Sequence, residues 1–375
     1  MSNMEQFAQA ASLPNPWVEA WRKARKKVLG YFCSYIPDEI IYAAGILPIR
    51  IRARGSTNTP MGDAYMTGTA CSFTRCCLDA ANRKEYEYLD GIVSYNSCDQ
   101  VRRLYDNIKF KTPFDYHYFL SIPAVANDLT IEWFVNELSK FKSNLEEKFN
   151  IEITEQQLRQ AITVYNKSRS LLKDLYQLRQ RDNPPINGTE VMQVFSAGVT
   201  IPRDQFNEML TQKIREDKER EGITDYRARV MLVGSLLDDP EYIKIIEDLG
   251  GLVVTDSICY GSRFFWDPVD EGISNPMEAL AARYLSKASC PRMSDGHTER
   301  IEFIKHMIKE YYVDGVIFER MKFCPYWWGE IFLLRNELKE LGVPCLDLER
   351  EYALSGVGQM KTRVQAFLEV LEKEG

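Results

Sequence analysis

The stretch DGIVSYNSCDQVRRLYDNIK, residues 90–109, joins an apolar run of strand type to a helical pattern, with Cys98 at the junction. The same construction returns at residues 314–332 as DGVIFERMKFCPYWWGEIF, where Cys324 holds the corresponding place. In both copies Asp-Gly comes first, the β-like run follows, and the cysteine precedes a helix. Two copies in matching places indicate a shared role for these cysteines.

The pattern around each copy extends over a whole half of the chain. Each half has four strand-like runs separated by helical stretches, one of which covers residues 70–84. The runs are VLGYFCSYIP, ILPIRIR, DGIVSYNSC and DYHYFLSIPA in the first half, and RVMLVGSLL, LVVTDS, DGVIFERMKFC and VPCLDLERE in the second. Strands that alternate with helices favour βαβ units and parallel sheets. The sequence therefore predicts an α/β fold with two similar, doubly wound parallel-sheet domains.

A helical segment separates the two halves. Apolar residues recur at spacings of three and four between about residues 129 and 226, and Thr154 before Gln157 resembles a capping box. A chain of 375 residues also exceeds the size at which one core keeps growing. We predict an N-terminal α/β domain with an N-terminal helix at 1–128, a helical bridge at 129–226 and a C-terminal α/β domain at 227–375.

The composition narrows the class of protein. The formal net charge of −7 argues against a nucleic-acid-binding protein, which usually carries a basic excess. No apolar run approaches the roughly 20 residues that span a bilayer, and no signal peptide is evident, so we expect a cytoplasmic protein that does not bind membranes. In that reducing compartment nine cysteines do not indicate a disulfide framework. They are expected to be buried apolar residues, metal ligands or reactive thiols.

Three cysteines stand out as candidate metal ligands. In open parallel sheets ligands bind outside the carboxyl ends of the strands, where Cys98 and Cys324 are predicted to lie, one from each domain. The segment ACSFTRCCLD adds Cys71 at the beginning of a helix, whose N-terminus stabilises a thiolate; Cys76 is the alternative to Cys71. Three thiolates from separate loops suit an iron–sulfur cluster with one iron open to another ligand. Buried structural cysteines are the competing interpretation, because no compact C-x-x-C motif is present.

Other chemistries find less support in the sequence. No G-x-G-x-x-G follows the first strand of either half, so a nicotinamide-dependent dehydrogenase has no positive signal. The stretch SGVGQMKTR, residues 355–363, lacks the spacing of a phosphate-binding P-loop. A zinc protein and a two-lobed, non-enzymatic ligand-binding protein, whose cysteines only pack, remain open.

Taken together, six segments resemble the subunits of 2-hydroxyacyl-CoA dehydratases and benzoyl-CoA reductases. The segments are CSYIPDEIIYAAGILPIRI, ACSFTRCCLD, LDGIVSYNSCDQVRRLYD, VDGVIFERMKFC, VPCLDLEREY and GQMKTRVQAFLE. The resemblance runs from about Gly30 to Glu369. Length and overall pattern are most similar to the smaller, β-type subunits, such as that of (R)-2-hydroxyisocaproyl-CoA dehydratase from amino-acid-fermenting anaerobes.

This resemblance implies a cofactor, partners and a reaction. It implies a [4Fe–4S] cluster bound by Cys71, Cys98 and Cys324 with a fourth, non-cysteine ligand. It also implies a heterodimer with a homologous α-type subunit and an ATP-dependent iron–sulfur activator that supplies electrons. The partner would bind most of the acyl-CoA, which loses water through a ketyl radical, while this chain relays the electron. An ATP-dependent aromatic acyl-CoA reductase is the alternative within the family. The resemblance names no catalytic acid or base.

Overall fold

The strands form two parallel sheets of identical topology. The computed structural model describes residues 3–374, and within that range the strands are β1 (Val28–Tyr31), β2 (Leu47–Arg50), β3 (Gly91–Tyr95), β4 (Tyr116–Leu120), β5 (Ala228–Gly234), β6 (Gly251–Ser257), β7 (Gly315–Met321) and β8 (Cys345–Arg350). The first sheet has the order β2-β1-β3-β4 and the second the order β6-β5-β7-β8, with every pairing parallel. The predicted fold class of two similar α/β domains is confirmed.

Helices cover the sheets and form the segment between them. Those of the first half are α1 (Asn3–Ala11), α2 (Pro16–Lys23), α3 (Asp38–Ala43), α4 (Pro60–Tyr65), α5 (Ser72–Asn82) and α6 (Asp99–Lys111). The segment between the sheets contains α7 (Asp128–Phe149), α8 (Glu155–Gln177), a 3₁₀ turn (Leu178–Gln180), α9 (Gly188–Gly198) and α10 (Arg203–Glu219). The second half adds α11 (Pro240–Glu247), α12 (Ser262–Phe265), α13 (Pro276–Ser286), α14 (His297–Glu310), α15 (Pro325–Glu340) and α16 (Val357–Glu374). Among residues 3–374, no helix has the length and apolar character required to cross a membrane.

The aspartates of the repeated Asp-Gly pairs form hydrogen bonds to the neighbouring strand, at the amino ends of the pairs β1–β3 and β5–β7. The Asp90 carboxylate accepts a hydrogen bond of 2.9 Å from the Val28 amide, and the Asp314 carboxylate accepts one of 2.7 Å from the Arg229 amide. The glycines that follow allow close packing. A Cβ on Gly91 would lie 2.4 Å from the Tyr116 carbonyl oxygen, so only glycine fits that position beside β4.

The helices between the two sheets begin with strong N-terminal caps. Capping boxes occur before α7, α8 and α9, and the predicted pair of Thr154 and Gln157 is one of them. Each box satisfies backbone amides that the first helical turn leaves without a partner. These helices are long and regular, as the spacing of their apolar residues predicts.

Two helices pack across the halves of the chain. Phe7 and Ala10 of α1 belong to the core of the second sheet, where α1 contacts α9. Leu280 and Tyr284 of α13 belong to the core beneath the first sheet, where α13 contacts α7. These contacts join the two halves through shared hydrophobic cores, and the domain boundaries at residues 128 and 226 stay predictions.

Candidate functional site

Three of the cysteines are the N-cap residues of three helices. Cys71 precedes α5, Cys98 precedes α6, and Cys324 precedes α15. Each has an extended backbone, and none of the three side chains accepts a capping hydrogen bond from its own helix. An N-cap side chain ordinarily performs that task. The Cys71 sulfur instead lies 3.7 Å from the Thr74 hydroxyl of its own helix.

A single glutamine side chain ties the three cysteine-bearing loops together. Gln100, in the first turn of α6, accepts a 2.5 Å hydrogen bond from the Cys71 amide through its Oε1. Its Nε2 donates to the Phe323 carbonyl oxygen at 2.9 Å, immediately before Cys324. Phe323 has a φ of 63°, a conformation that is strained for a bulky residue. Gln100 therefore helps to hold the loop that presents Cys324 in place beside Cys71 and Cys98.

Burial is the largest influence on the pKa values of these thiols and raises all three. Loss of solvation, followed by the charge of Cys71, raises the pKa of Cys98 to about 12. Burial also raises the pKa of Cys324, to which the charges of Cys71 and Cys98 add, and it raises the pKa of Cys71. The expected stabilisation of thiolate by a helix N-terminus is thus outweighed by desolvation. Metal coordination would reverse this balance, because a coordinating thiol loses its proton.

The remaining cysteines fall into distinct places. Cys76 is fully buried within α5, whereas Cys71 is the N-cap residue of that helix. The charge of Cys71 raises the pKa of both Cys98 and Cys324. Cys290, which the sequence did not single out, lies in the loop between α13 and α14 and also raises the pKa of Cys98 and Cys324. Cys345 begins β8, at the opposite edge of the sheet from the carboxyl ends.

The three cysteines supply thiol donors, which is the ligand type of an iron–sulfur cluster. In the described part of the chain, no three His, Cys, Asp or Glu side chains come together tightly enough to hold one metal ion. A [4Fe–4S] cluster is larger, since each cysteine binds a different iron, and its ligands are thiolates. Three free thiols from three loops are compatible with that requirement.

Comparison with known proteins shows the family of the chain. The family model for the D-component of 2-hydroxyglutaryl-CoA dehydratase matches residues 33–371. The chain belongs to this family. The resemblance inferred from the six sequence segments is thereby confirmed.

Relatives of this chain include components of two kinds of enzyme. The chain is 28% identical to a benzoyl-CoA reductase subunit of Thauera aromatica over 349 residues, which cover 91% of this chain and 89% of the relative. It is 26% identical to the (R)-phenyllactyl-CoA dehydratase beta subunit of Clostridium sporogenes over 351 residues, 92% of each chain. It is 25% identical to the (R)-2-hydroxyglutaryl-CoA dehydratase beta subunit of Acidaminococcus fermentans over 376 residues, 98% of each chain. The relatives support a dehydratase-type or benzoyl-CoA reductase-type subunit.

A cavity of about 380 Å³ lies next to the cysteine-bearing loops. Ser97 and Tyr326, which neighbour Cys98 and Cys324 in the chain, contribute to its wall. Other lining residues include Arg102, Ile122, Trp133 and Arg292. The cavity combines aromatic surface with two guanidinium groups, so it favours an apolar group that bears negative charge.

An ion-pair network connects α14 to α15, the helix that begins after Cys324. His297 of α14 lies 2.8 Å from the Glu330 carboxylate through Nδ1 and 2.7 Å from the Glu337 carboxylate through Nε2. Partial burial disfavours the charged imidazole, but hydrogen bonds to Glu337 and Glu330 outweigh it and raise the pKa of His297. His297 therefore stabilises this helix pair most when it is protonated.

We expect His297→Gln to lower stability at acidic pH and to matter little at alkaline pH. Because the folded pKa lies above the unfolded value of about 6.5, the stabilisation is complete below that pH and is lost as the pH rises through the folded value. The difference in free energy of unfolding from the native chain should be roughly 1 kcal/mol near pH 6. Denaturation between pH 6 and 9 measures it, with exposed His306→Gln as the control. A difference that stays constant with pH would contradict the assignment.

Proposed function

We propose that this chain is the β-type subunit of an (R)-2-hydroxyacyl-CoA dehydratase and holds a [4Fe–4S] cluster through Cys71, Cys98 and Cys324. One observation carries the proposal: three thiols sit at three helix N-termini, and Gln100 connects the loop of Cys71 with the loop of Cys324 through hydrogen bonds to their backbones. The dehydratase beta subunits among the relatives support the reaction class. The fourth ligand in this proposal is not a cysteine.

Each part of the chain has a defined task in this proposal. When bound, the cluster supplies low-potential, one-electron chemistry. The two halves of the chain present the thiols from separate sheets, and the surroundings bury Cys71 and shield Cys98 and Cys324 partly from water. The amides of Trp327 near Cys324, and of Gln100 and Val101 near Cys98, face the sulfur atoms and favour their thiolate form. Amide donors beside the sulfur atoms tune the potential of a bound cluster.

The proposed partners complete the enzyme. An ATP-dependent iron–sulfur activator delivers one electron to this chain, which relays it to a homologous α-type subunit in a cytoplasmic heterodimer. The partner binds most of the acyl-CoA. Addition of the electron gives a ketyl radical of the thioester, hydroxide leaves, a β-proton is lost, and the electron is recovered as the 2-enoyl-CoA forms. A one-electron route is needed because that β-proton is not acidic in the ground state.

A benzoyl-CoA reductase-type subunit is the second candidate. The 28% identity to the Thauera aromatica protein supports it. The two candidates differ in electron balance, because a reductase transfers electrons to its product whereas the dehydratase recovers them. The acyl chain handled by the enzyme depends mainly on the partner in either case.

Metal analysis and product analysis test the proposal in two steps. The chain is purified without oxygen together with its co-purifying partner, and iron, acid-labile sulfide and the visible spectrum are measured. About four irons and four sulfides per chain are expected for one cluster in each subunit. A folded, colourless protein without iron favours a ligand-binding protein, and metal without sulfide favours zinc. The protein is then incubated with activator, ATP and reductant, once with a 2-hydroxyacyl-CoA and once with an aryl-CoA. Formation of an enoyl-CoA from the first indicates a dehydratase, and formation of a reduced product from the second indicates a reductase.

A further inference from the structure

Two buried arginines near the candidate centre make no ion pair. Arg263 and Arg292 are 3% and 4% exposed, and neither pairs with a carboxylate among residues 3–374. Arg263 donates to the Gly234 carbonyl oxygen at 2.6 Å, and Arg292 donates to the carbonyl oxygens of Pro123, at 2.6 Å, and Ile122. The Nε and Nη1 of Arg263 and the Nε of Arg292 have no hydrogen-bond partner.

Burial of an uncompensated guanidinium is expensive, and arginine does not escape the cost by losing its proton. Some of the other buried arginines pair with buried glutamates. Examples are Arg169 with Glu39, Arg300 with Glu330 and Arg350 with Glu319. Arg52, Arg179, Arg229 and Arg283 are also buried without a carboxylate partner among residues 3–374, so what singles out Arg263 and Arg292 is their place beside the cysteine-bearing loops.

Both guanidinium groups lie beside the cysteine-bearing loops. Arg263 is 4.5 Å from the ring of Trp327, whose amide faces the Cys324 sulfur. Arg292 lines the cavity together with Tyr326, and Tyr326 also feels the charge of Cys98. Arg263 therefore lies on the side of the site where Cys324 is, and Arg292 lies on the side of Cys98.

Two other buried basic residues are less suited to supply this charge. Burial, reinforced by the charge of Arg283, lowers the pKa of Lys287 well below its ordinary value, so its charge is not fixed. Arg50 already contacts a sulfur atom, with its Nη2 3.1 Å from Cys259 Sγ. Arg263 and Arg292 keep a fixed charge, and the one sulfur contact of this pair, from Arg292 Nη1 to Met293 Sδ at 3.3 Å, is to an uncharged thioether.

We propose that Arg263 and Arg292 balance the negative charge of the iron–sulfur cluster and raise its reduction potential, an inference that rests on the proposed function. Three thiolates make the cluster anionic, and reduction by one electron adds one further negative charge. A nearby fixed cation stabilises the reduced form more than the oxidised form. The two arginines are positioning and tuning residues, and they take no part in bond making.

Charge-neutral variants test this role through the potential itself. Arg263→Gln and Arg292→Gln are introduced into this chain of the assembled protein, which is reduced stepwise with titanium(III) citrate and followed by electron paramagnetic resonance. Each variant should shift one cluster signal to a potential at least about 59 mV more negative, which is a tenfold loss in the equilibrium constant for one-electron reduction. The cluster of the partner subunit serves as the internal reference. Arg263→Lys should keep most of the native potential.

A control variant and the iron content distinguish failure of this inference from failure of the proposed function. Arg215→Gln, on the exposed face of α10, makes the same chemical change far from the site and should leave both potentials unchanged. Native iron content with unshifted potentials in both glutamine variants would overturn the inference and leave the proposed function standing. Absence of iron from the native protein would instead refute the proposed function. If Arg263→Gln does not fold, Arg292→Gln and Arg263→Lys still decide the question.

Discussion

Replacing Cys98 or Cys324 by alanine is expected to give a folded chain that has lost its iron. Each thiol precedes a helix without making a capping hydrogen bond and is only partly buried, so truncation removes a ligand while costing the fold little. Iron should fall from about four atoms per chain to a small fraction of that value, because a cluster held by two protein thiols is not retained. Iron and sulfide assays with the visible spectrum measure the loss, and circular dichroism checks the fold.

Two further cysteine variants make this experiment specific. Cys345 begins β8 at the edge of the sheet opposite to the site, so Cys345→Ala should keep its iron. Cys76→Ala tests the alternative first ligand and should keep iron as well, whereas Cys71→Ala should lose it. Full iron content in the Cys98 and Cys324 variants, or loss of iron on replacing Cys345, would show that the ligand set is wrong.

The sequence predicted the fold because its strongest signal was a repeated one. Asp90-Gly91 and Asp314-Gly315 mark the start of the central strand in each sheet, and the structure shows a physical reason for each residue type. The aspartates accept amide hydrogen bonds from the neighbouring strand, and Gly91 admits the Tyr116 backbone. These requirements are local to the motif, so they leave a pattern that can be read in the chain.

The tertiary features of the site left no comparable pattern. Gln100 looks like any polar residue in a first helical turn, and only the fold places it between Cys71 and Phe323. Cys290 follows α13. The sequence pattern predicted neither α13 nor α12, which both lie between β6 and α14. Likewise, the sequence indicates a helix terminus beside each thiol but not the depth of burial, which raises the pKa of all three thiols.

The second large effect is expected at Glu39, where α3 meets the helices between the sheets. Glu39 is fully buried, accepts a hydrogen bond from Arg169 Nη2, and accepts another of 2.7 Å from the Tyr284 hydroxyl. Burial opposes its ionisation, but the charges of Arg169 and Arg283 outweigh burial and lower the pKa of Glu39. The carboxylate is therefore charged in the folded protein and compensates cations that water does not reach.

Glu39→Gln should lower the free energy of unfolding by about 3–5 kcal/mol, because it leaves the Arg169 guanidinium buried without a counter-charge. The double variant Glu39→Gln/Arg169→Met should recover much of that loss, since it removes the stranded charge as well. Urea denaturation of the single and double variants measures both values. The surface pair of Glu155 and Arg159 is the matched control, and Glu155→Gln should cost less than about 1 kcal/mol. A Glu39→Gln loss as small as that of the control would mean that water or another group already neutralises Arg169, and that this ion pair does not join α3 to α8.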